Sequence, residues 1–266
     1  MVRRVVPGLV VGALGLLIAW PLMSEDQKAD DQALPQAQAT YIGSSKCKMC
    51  HKGQWESWQK TKHAKLAEVQ IAETDLASDE YMARHTTGYD PATKKGVETG
   101  VACEMCHGPG SLHMKASKEE RKAMIFDPVR DGVKPEVAFS VCAQCHAQYA
   151  LETGERFAKG FIPGQNLLPK LKFDAAKPGT KLEQFNEMQG SKHVEKGTVC
   201  VKCHTGHVKD EALLKQLRKP IIETCTECHT DKADIKKHQP TAKDTDTCAT
   251  CHMPDGRHVF RTPKEM

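Results

Sequence analysis

Apolar residues gather once in this chain and are sparse afterwards. Val5 to Met23 form an uncharged apolar run of 19 residues behind Arg3 and Arg4, while the whole chain has a mean hydropathy of −0.53. Beyond the run the pattern is broken by 16 glycines and 12 prolines, which predicts short helices and long loops with almost no sheet. Trp55, Trp58, Lys62 and Leu66 recur at helical spacing, so one helix is expected to carry residue 63 about 18 Å from residue 51. Ser117 with Glu120 reads as a capping box opening a second helix. Asp210 reads as the N-cap of a third, over residues 211–217 and stopped near Pro220.

The chemistry lies in one motif repeated six times: Cys47-Lys-Met-Cys50-His51, Cys103-Glu-Met-Cys106-His107, Cys142-Ala-Gln-Cys145-His146, Cys200-Val-Lys-Cys203-His204, Cys225-Thr-Glu-Cys228-His229 and Cys248-Ala-Thr-Cys251-His252. Together the copies use all 12 cysteines. This is the attachment signature of haem c: two thiols bond the vinyl groups and the adjacent imidazole becomes the proximal iron ligand. A zinc knuckle, a thioredoxin-like pair and a disulfide staple compete for a bare Cys-x-x-Cys. With histidine scarce, six chance placements have odds on the order of 10⁻⁸, and the irregular gaps do not group ligands as zinc sites require.

Composition then changes meaning. Aromatics are only 5% of the residues, so an ordinary apolar core would be thin for this length and porphyrin faces are expected to complete it. The expected fold is mainly α with extensive loops around a haem-stacked core. The formal charge of +4 also misleads, because each ferric haem with two ionised propionates adds about −1. The positive excess is therefore an internal counter-charge and gives no case for nucleic acid binding.

Arg3, Arg4 and the apolar run have the form of an export signal, and haem c is attached outside the cytoplasm. The run is just long enough to span a bilayer, Trp20 lies where an interfacial anchor would, and no small-x-small site directly follows. Residues 1–23 are thus expected to be a signal peptide or an inner-membrane anchor, and residues 24–41 a polar tether to a periplasmic domain.

Thirteen histidines permit a ligand count. Six are proximal, and His63, His85, His113, His193, His207, His238 and His258 remain for six distal positions. Saturation by bis-histidine pairs favours electron transfer, because catalysis at haem needs an open axial site. His63, His113, His207 and His258 each follow their own motif too closely or beyond a turn, so each is expected to serve a neighbouring haem. No methionine, Met114 and Met253 included, needs a ligand role, and low-spin haems of comparatively low potential are expected.

The first half resembles a known family. Gly43-Ser-Ser-Lys-Cys47 to Lys52, Trp58 to Lys65, and Thr99-Gly-Val-Ala-Cys103 to Gly110 are similar to the cytochrome c-554 family, tetrahaem electron carriers of ammonia oxidation, and the likeness runs over residues 42–195. The resemblance implies that His113 caps the His51 haem, His63 the His146 haem and His193 the His107 haem. One family motif is missing here: Tyr81-Met-Ala-Arg84-His85 stands where a further Cys-x-x-Cys-His would be. In the family that haem is the five-coordinate one, so its loss weakens a catalytic reading and leaves His85 as the spare histidine.

Two trihaem modules are expected, at 42–150 and 196–266, joined by 151–195, which carries His193. The Gly-, Pro- and Lys-rich stretch 151–190 serves either as a connector or as a loop covering haem edges with Phe157, Phe161 and Phe173. If ligation stays within the last module, His207, His238 and His258 cap the haems of His229, His252 and His204, or the cycle runs in reverse. The favoured function is an electron carrier with six covalent haem c, working between redox proteins. A multihaem oxidoreductase of hydroxylamine or nitrite type and a subunit of an extracellular cytochrome filament are the alternatives, the latter requiring an oligomer. Amino-terminal sequencing of the mature protein checks the anchor: a start at Met1 or Val2 is expected, and a start near residue 24 or 40 removes it.

Overall fold

The computed structural model describes residues 35–66, 78–177, 180, 182–208 and 214–261. The apolar run at 5–23, the tether up to residue 34 and the beginning of the helix expected at 211–217, with its N-cap Asp210, lie outside them. Helices run in the order α1 (Ser44–Lys48), α2 (Lys52–Gln59), α3 (Lys62–Lys65), α4 (Asp79–His85), α5 (Cys103–His107), α6 (Ser111–Lys115), α7 (Pro135–His146), α8 (Gln184–Met188), α9 (Lys192–Glu195), α10 (Cys200–Cys203), α11 (Ile221–Thr226), α12 (Ile235–His238) and α13 (Cys248–His252). Strand is confined to two antiparallel pairs, β1 (Thr86–Thr87) with β2 (Glu98–Thr99) and β3 (Tyr149–Leu151) with β4 (Leu171–Phe173). The mainly α, loop-rich architecture matches the expectation from the sequence.

Helices this short are unstable alone, and local capping specifies several of them. Thr61 Oγ1 accepts from Ala64 N–H, Ser191 Oγ from Val194 N–H and an Asp234 carboxylate oxygen from Lys237 N–H. Such caps are worth about 1 kcal/mol each, and here they open the single turns bearing His63, His193 and His238. The cap at Thr61 corrects one expectation. The helix from Trp55 does not continue to Leu66 but breaks at Lys60–Thr61 and restarts as α3. The Ser117–Glu120 pair forms, with Ser117 Oγ donating to Glu120 Oε2 at 2.7 Å, yet it leads into a 3₁₀ turn, Arg121–Met124. Of the helix expected before Pro220, the described part is likewise a 3₁₀ turn, Leu214–Gln216, with Lys215 at φ 56°.

The apolar core is small and local. Phe139, Ala143, Ala147 and Tyr149, on α7 and the start of β3, pack with Leu167, Leu171, Phe185 and Met188. Residues 151–190 therefore help build this core, with Phe161 and Phe173 packed against it. Polar clamps fix its edges: Ser140 Oγ accepts from Leu167 N–H at 2.8 Å. The Asn186 amide accepts from Gln148 N–H and donates to the carbonyls of Gln148 and Asp174.

A second clamp sits in the N-terminal half. The fully buried Glu104, inside the second Cys-x-x-Cys-His, accepts from the N–H groups of Ile42, Gly43 and Gly110 at 2.7–3.0 Å. It ties the strand leading to His51 onto the loop leading to His113. Burial pushes its carboxyl up, and the three amides pull it back. Gly43 is at φ +83° and Gly110 has Ile42 within 3.3 Å of a would-be Cβ, so glycine suits both contacts. Glu104→Gln turns an amide N–H₂ toward backbone donors; it is expected to destabilise the holoprotein by about 2–3 kcal/mol, measured as a lower denaturant midpoint with the slope unchanged.

Candidate functional site

Within each motif the chain is helical or turns helically, which puts Cys i and Cys i+3 on one face with His i+4 beside them. His51, His204 and His229 each donate their backbone N–H to the carbonyl of the first cysteine of their motif, at 2.9–3.0 Å. His107, His146 and His252 end α5, α7 and α13. The six sites thus share one local geometry.

Each proximal ring faces one further histidine. Ring centroids lie 6.0 Å apart for His51 and His113, 5.9 Å for His63 and His146, and 6.1 Å for His107 and His207. They lie 6.1 Å apart for His193 and His229, 6.0 Å for His204 and His258, and 6.1 Å for His238 and His252. A metal–imidazole bond of about 2 Å on each side, plus the distance from nitrogen to ring centre, places two rings sharing one iron at about this separation. His85 has a different environment: its ring stacks on Tyr81 at 4.0 Å and its Nδ1 lies 2.8 Å from the Tyr81 carbonyl. That spacing leaves no room for an ion.

The arrangement brings His113 to His51 and His63 to His146, and His258 to His204 and His238 to His252. It does not bring His193 to His107, nor His207 to His229. Those two partners are exchanged across the molecule. The C-terminal histidines do not stay among themselves: His207 lies opposite His107 and close enough to feel Asp127 and His51 as well. His193, on α9, projects instead to His229.

Second contacts orient the rings. Nδ1–H of His107 donates to the Phe126 carbonyl (2.9 Å), of His113 to Arg121 (2.7 Å), of His204 to Lys215 (2.9 Å) and of His252 to Arg261 (2.8 Å). His146 Nδ1–H donates to Gln184 Oε1 at 3.1 Å. Fixing the proton on Nδ1 leaves the Nε2 lone pair for a metal. Backbone acceptors carry no sequence signal, so these were not legible; Lys215 turns its carbonyl to His204 from a left-handed conformation. His258 Nδ1 is buried without a hydrogen-bond partner, 3.9 Å from Glu187 Oε2. Arg257 and the His258 N–H hold that carboxylate.

Burial pushes His63 and His258 down to about 4, and lowers His51, His146, His193, His204 and His207 in the same direction. These rings are therefore neutral near pH 7, the form that ligates. A cavity of about 490 Å³, lined by Gln184, Glu187, Lys215 and Arg257 among others, lies among the residues that orient His146, His204 and His258. Its size suits a large planar ligand.

The thiols connect the sites. Cys47 meets Cys103, Cys142 meets Cys200, and Cys225 meets Cys248 through their side chains. Cys106 feels Cys145, and Cys203 feels Cys228. Consecutive motifs therefore neighbour one another alternately through their first and their second cysteines.

Residues 46–108 match the family described as cytochrome c554 and c-prime, and residues 192–234 match the doubled CXXCH motif. The chain is a multihaem c-type cytochrome. It is 33% identical to cytochrome c-554 of Nitrosomonas europaea over 42% of this chain and 60% of that one. It is 30% identical to the multiheme cytochrome MtrA of Shewanella baltica over 62% of this chain and 38% of the other. It is 26% identical to the dissimilatory sulfite reductase MccA of Wolinella succinogenes over 60% and 23%. This cytochrome thus spans 60% or less of the curated relatives it matches. Its fold is similar to that of the outer cell wall cytochrome OcwA, with a TM-score of 0.55 at 17% identity over 83% of this chain and 79% of that one.

Replacing His207 by Ala is expected to perturb one haem, the one on Cys103 and Cys106, giving a single high-spin ferric signal by electron paramagnetic resonance. His193→Ala should instead perturb the haem on Cys225 and Cys228, and His85→Ala should leave the spectrum unchanged.

Proposed function

We propose that the chain binds six haem c and transfers electrons along them in sequence order, from the His51 site to the His252 site. The supporting observation is that twelve of the thirteen histidines form six pairs of one spacing, while every motif has a cysteine near one of the next. The proposed axial pairs are His51–His113, His146–His63, His107–His207, His229–His193, His204–His258 and His252–His238. Each haem supplies a one-electron Fe(III)/Fe(II) couple. The protein's part is to fix twelve imidazoles, exclude exchangeable axial water and keep neighbouring attachment sites close.

The same observation favours a carrier over an enzyme, since a second imidazole faces every proximal ring. Each pair forms within one chain, so none of these rings requires a neighbouring subunit. The proposed location is outside the cytoplasm, in the periplasm, between a donor and an acceptor that are themselves redox proteins. Among the described residues no helix is long and apolar enough to cross a membrane; the proposed anchor at 5–23 lies outside them. The likeness to a sulfite reductase gives catalysis as the second reading.

Pyridine haemochrome quantitation together with intact mass should return six haems per chain, whereas seven would mean that the His85 region retains one. The oxidised protein should show only low-spin iron and no turnover of hydroxylamine, nitrite or sulfite. An exchangeable high-spin site with sulfite or nitrite reduction would replace the carrier reading by the catalytic one.

A further inference from the structure

The two ends of the file of sites differ in surface chemistry. At the first end, Met49 within the Cys47–His51 motif is 66% exposed, and Met114 next to His113 is 46% exposed. These two methionines flank one histidine pair, because His51 and His113 face each other at 6.0 Å. Val97 and Val129 are the other large apolar side chains left exposed among the described residues, and both also lie in the N-terminal half.

The polar surroundings at this end are basic. Residues 44–65 carry six lysines to one glutamate, and residues 111–122 carry four basic to two acidic side chains. Lys46, Lys52, Lys115, Lys118 and Lys122 are exposed, and of these Lys52 has a carboxylate near it, Glu56 at 3.8 Å with both side chains open to solvent. At the far end, residues 225–261 hold six basic and six acidic side chains, and many of these pair internally, as Lys232 does with Asp231 and Lys236 with Asp244. An apolar centre with a one-signed rim is the composition of a transient docking face, and its sign selects the partner and speeds encounter.

We infer that the face formed by Met49 and Met114 with Lys46, Lys52 and Lys122 docks a redox protein whose own cofactor opening is rimmed by carboxylates. The inference rests on the His51–His113 pair being a haem site. Electrons then enter or leave the file at this end through an acidic protein, while the electrically balanced His252 end serves a partner of a different kind.

The probe is flavodoxin, a small acidic one-electron protein. Binding of oxidised flavodoxin to the oxidised holoprotein is measured by biolayer interferometry at low ionic strength, and stopped-flow follows reduction by the flavin hydroquinone. Lys46→Glu/Lys52→Glu/Lys122→Glu is expected to weaken binding and slow reduction by about tenfold or more, with the difference vanishing in high salt. Lys236→Glu/Lys237→Glu/Lys243→Glu should leave both unchanged. Met49→Gln/Met114→Gln should weaken binding while keeping its salt dependence. No binding by the native protein, equal losses in both charge variants, or no loss in the first would overturn the inference. So would a first variant that loses binding only to phosphatidylglycerol vesicles, which makes the face a membrane surface. Haem content and the dithionite-reduced spectrum are recorded on every variant; a failure there strikes the haem reading and leaves docking to be judged by flavodoxin binding alone.

Discussion

Six times in this chain two imidazoles from separate segments are held about 6 Å apart, and most of the tertiary structure serves that separation. Apart from α7, every described helix has eight residues or fewer, too short to stand without partners. The apolar core reaches only from α7 to α8. Elsewhere the chain is held by caps, glycine turns and buried polar clamps such as Glu104, whose free energy is spent on placing histidines. A protein of this length with so few aromatic residues has no other obvious means of becoming compact, and the relation between ring spacing and iron explains why it needs none.

Much of this was legible because the motif is chemical. Cys-x-x-Cys-His carries its own geometry, so the placing of each motif histidine beside its two cysteines followed directly, as did the scarcity of sheet and the odd position of His85. Pairings that depend on local chain direction, such as His113 with His51, were also readable from the Gly-Pro-Gly turn and the family likeness. His193 and His207 were not, because their partners depend on how residues 196–208 fold back on the first half.

The orienting contacts form a second layer hidden from sequence. Four of the five Nδ1 acceptors are main-chain carbonyls, and any residue can provide one. Gln184 is the exception. Lys215 shows the cost of such positioning, since a non-glycine residue is held in the left-handed region to aim its carbonyl. The break of the first long helix at Thr61 has the same logic: an uninterrupted helix to Leu66 would present His63 with a different orientation, whereas a fresh turn capped by Thr61 presents it to His146.

The exchange of partners between the halves also imposes a timetable on biogenesis. A chain delivered from its amino terminus presents His107 long before His207 exists to face it, while His51 and His113 emerge close together. The His204 ring, in the interior of the file, is the last to be matched, because its partner His258 is the last histidine in the sequence. A chain interrupted before His258 would therefore leave an interior pair incomplete while the pairs at its beginning were already formed.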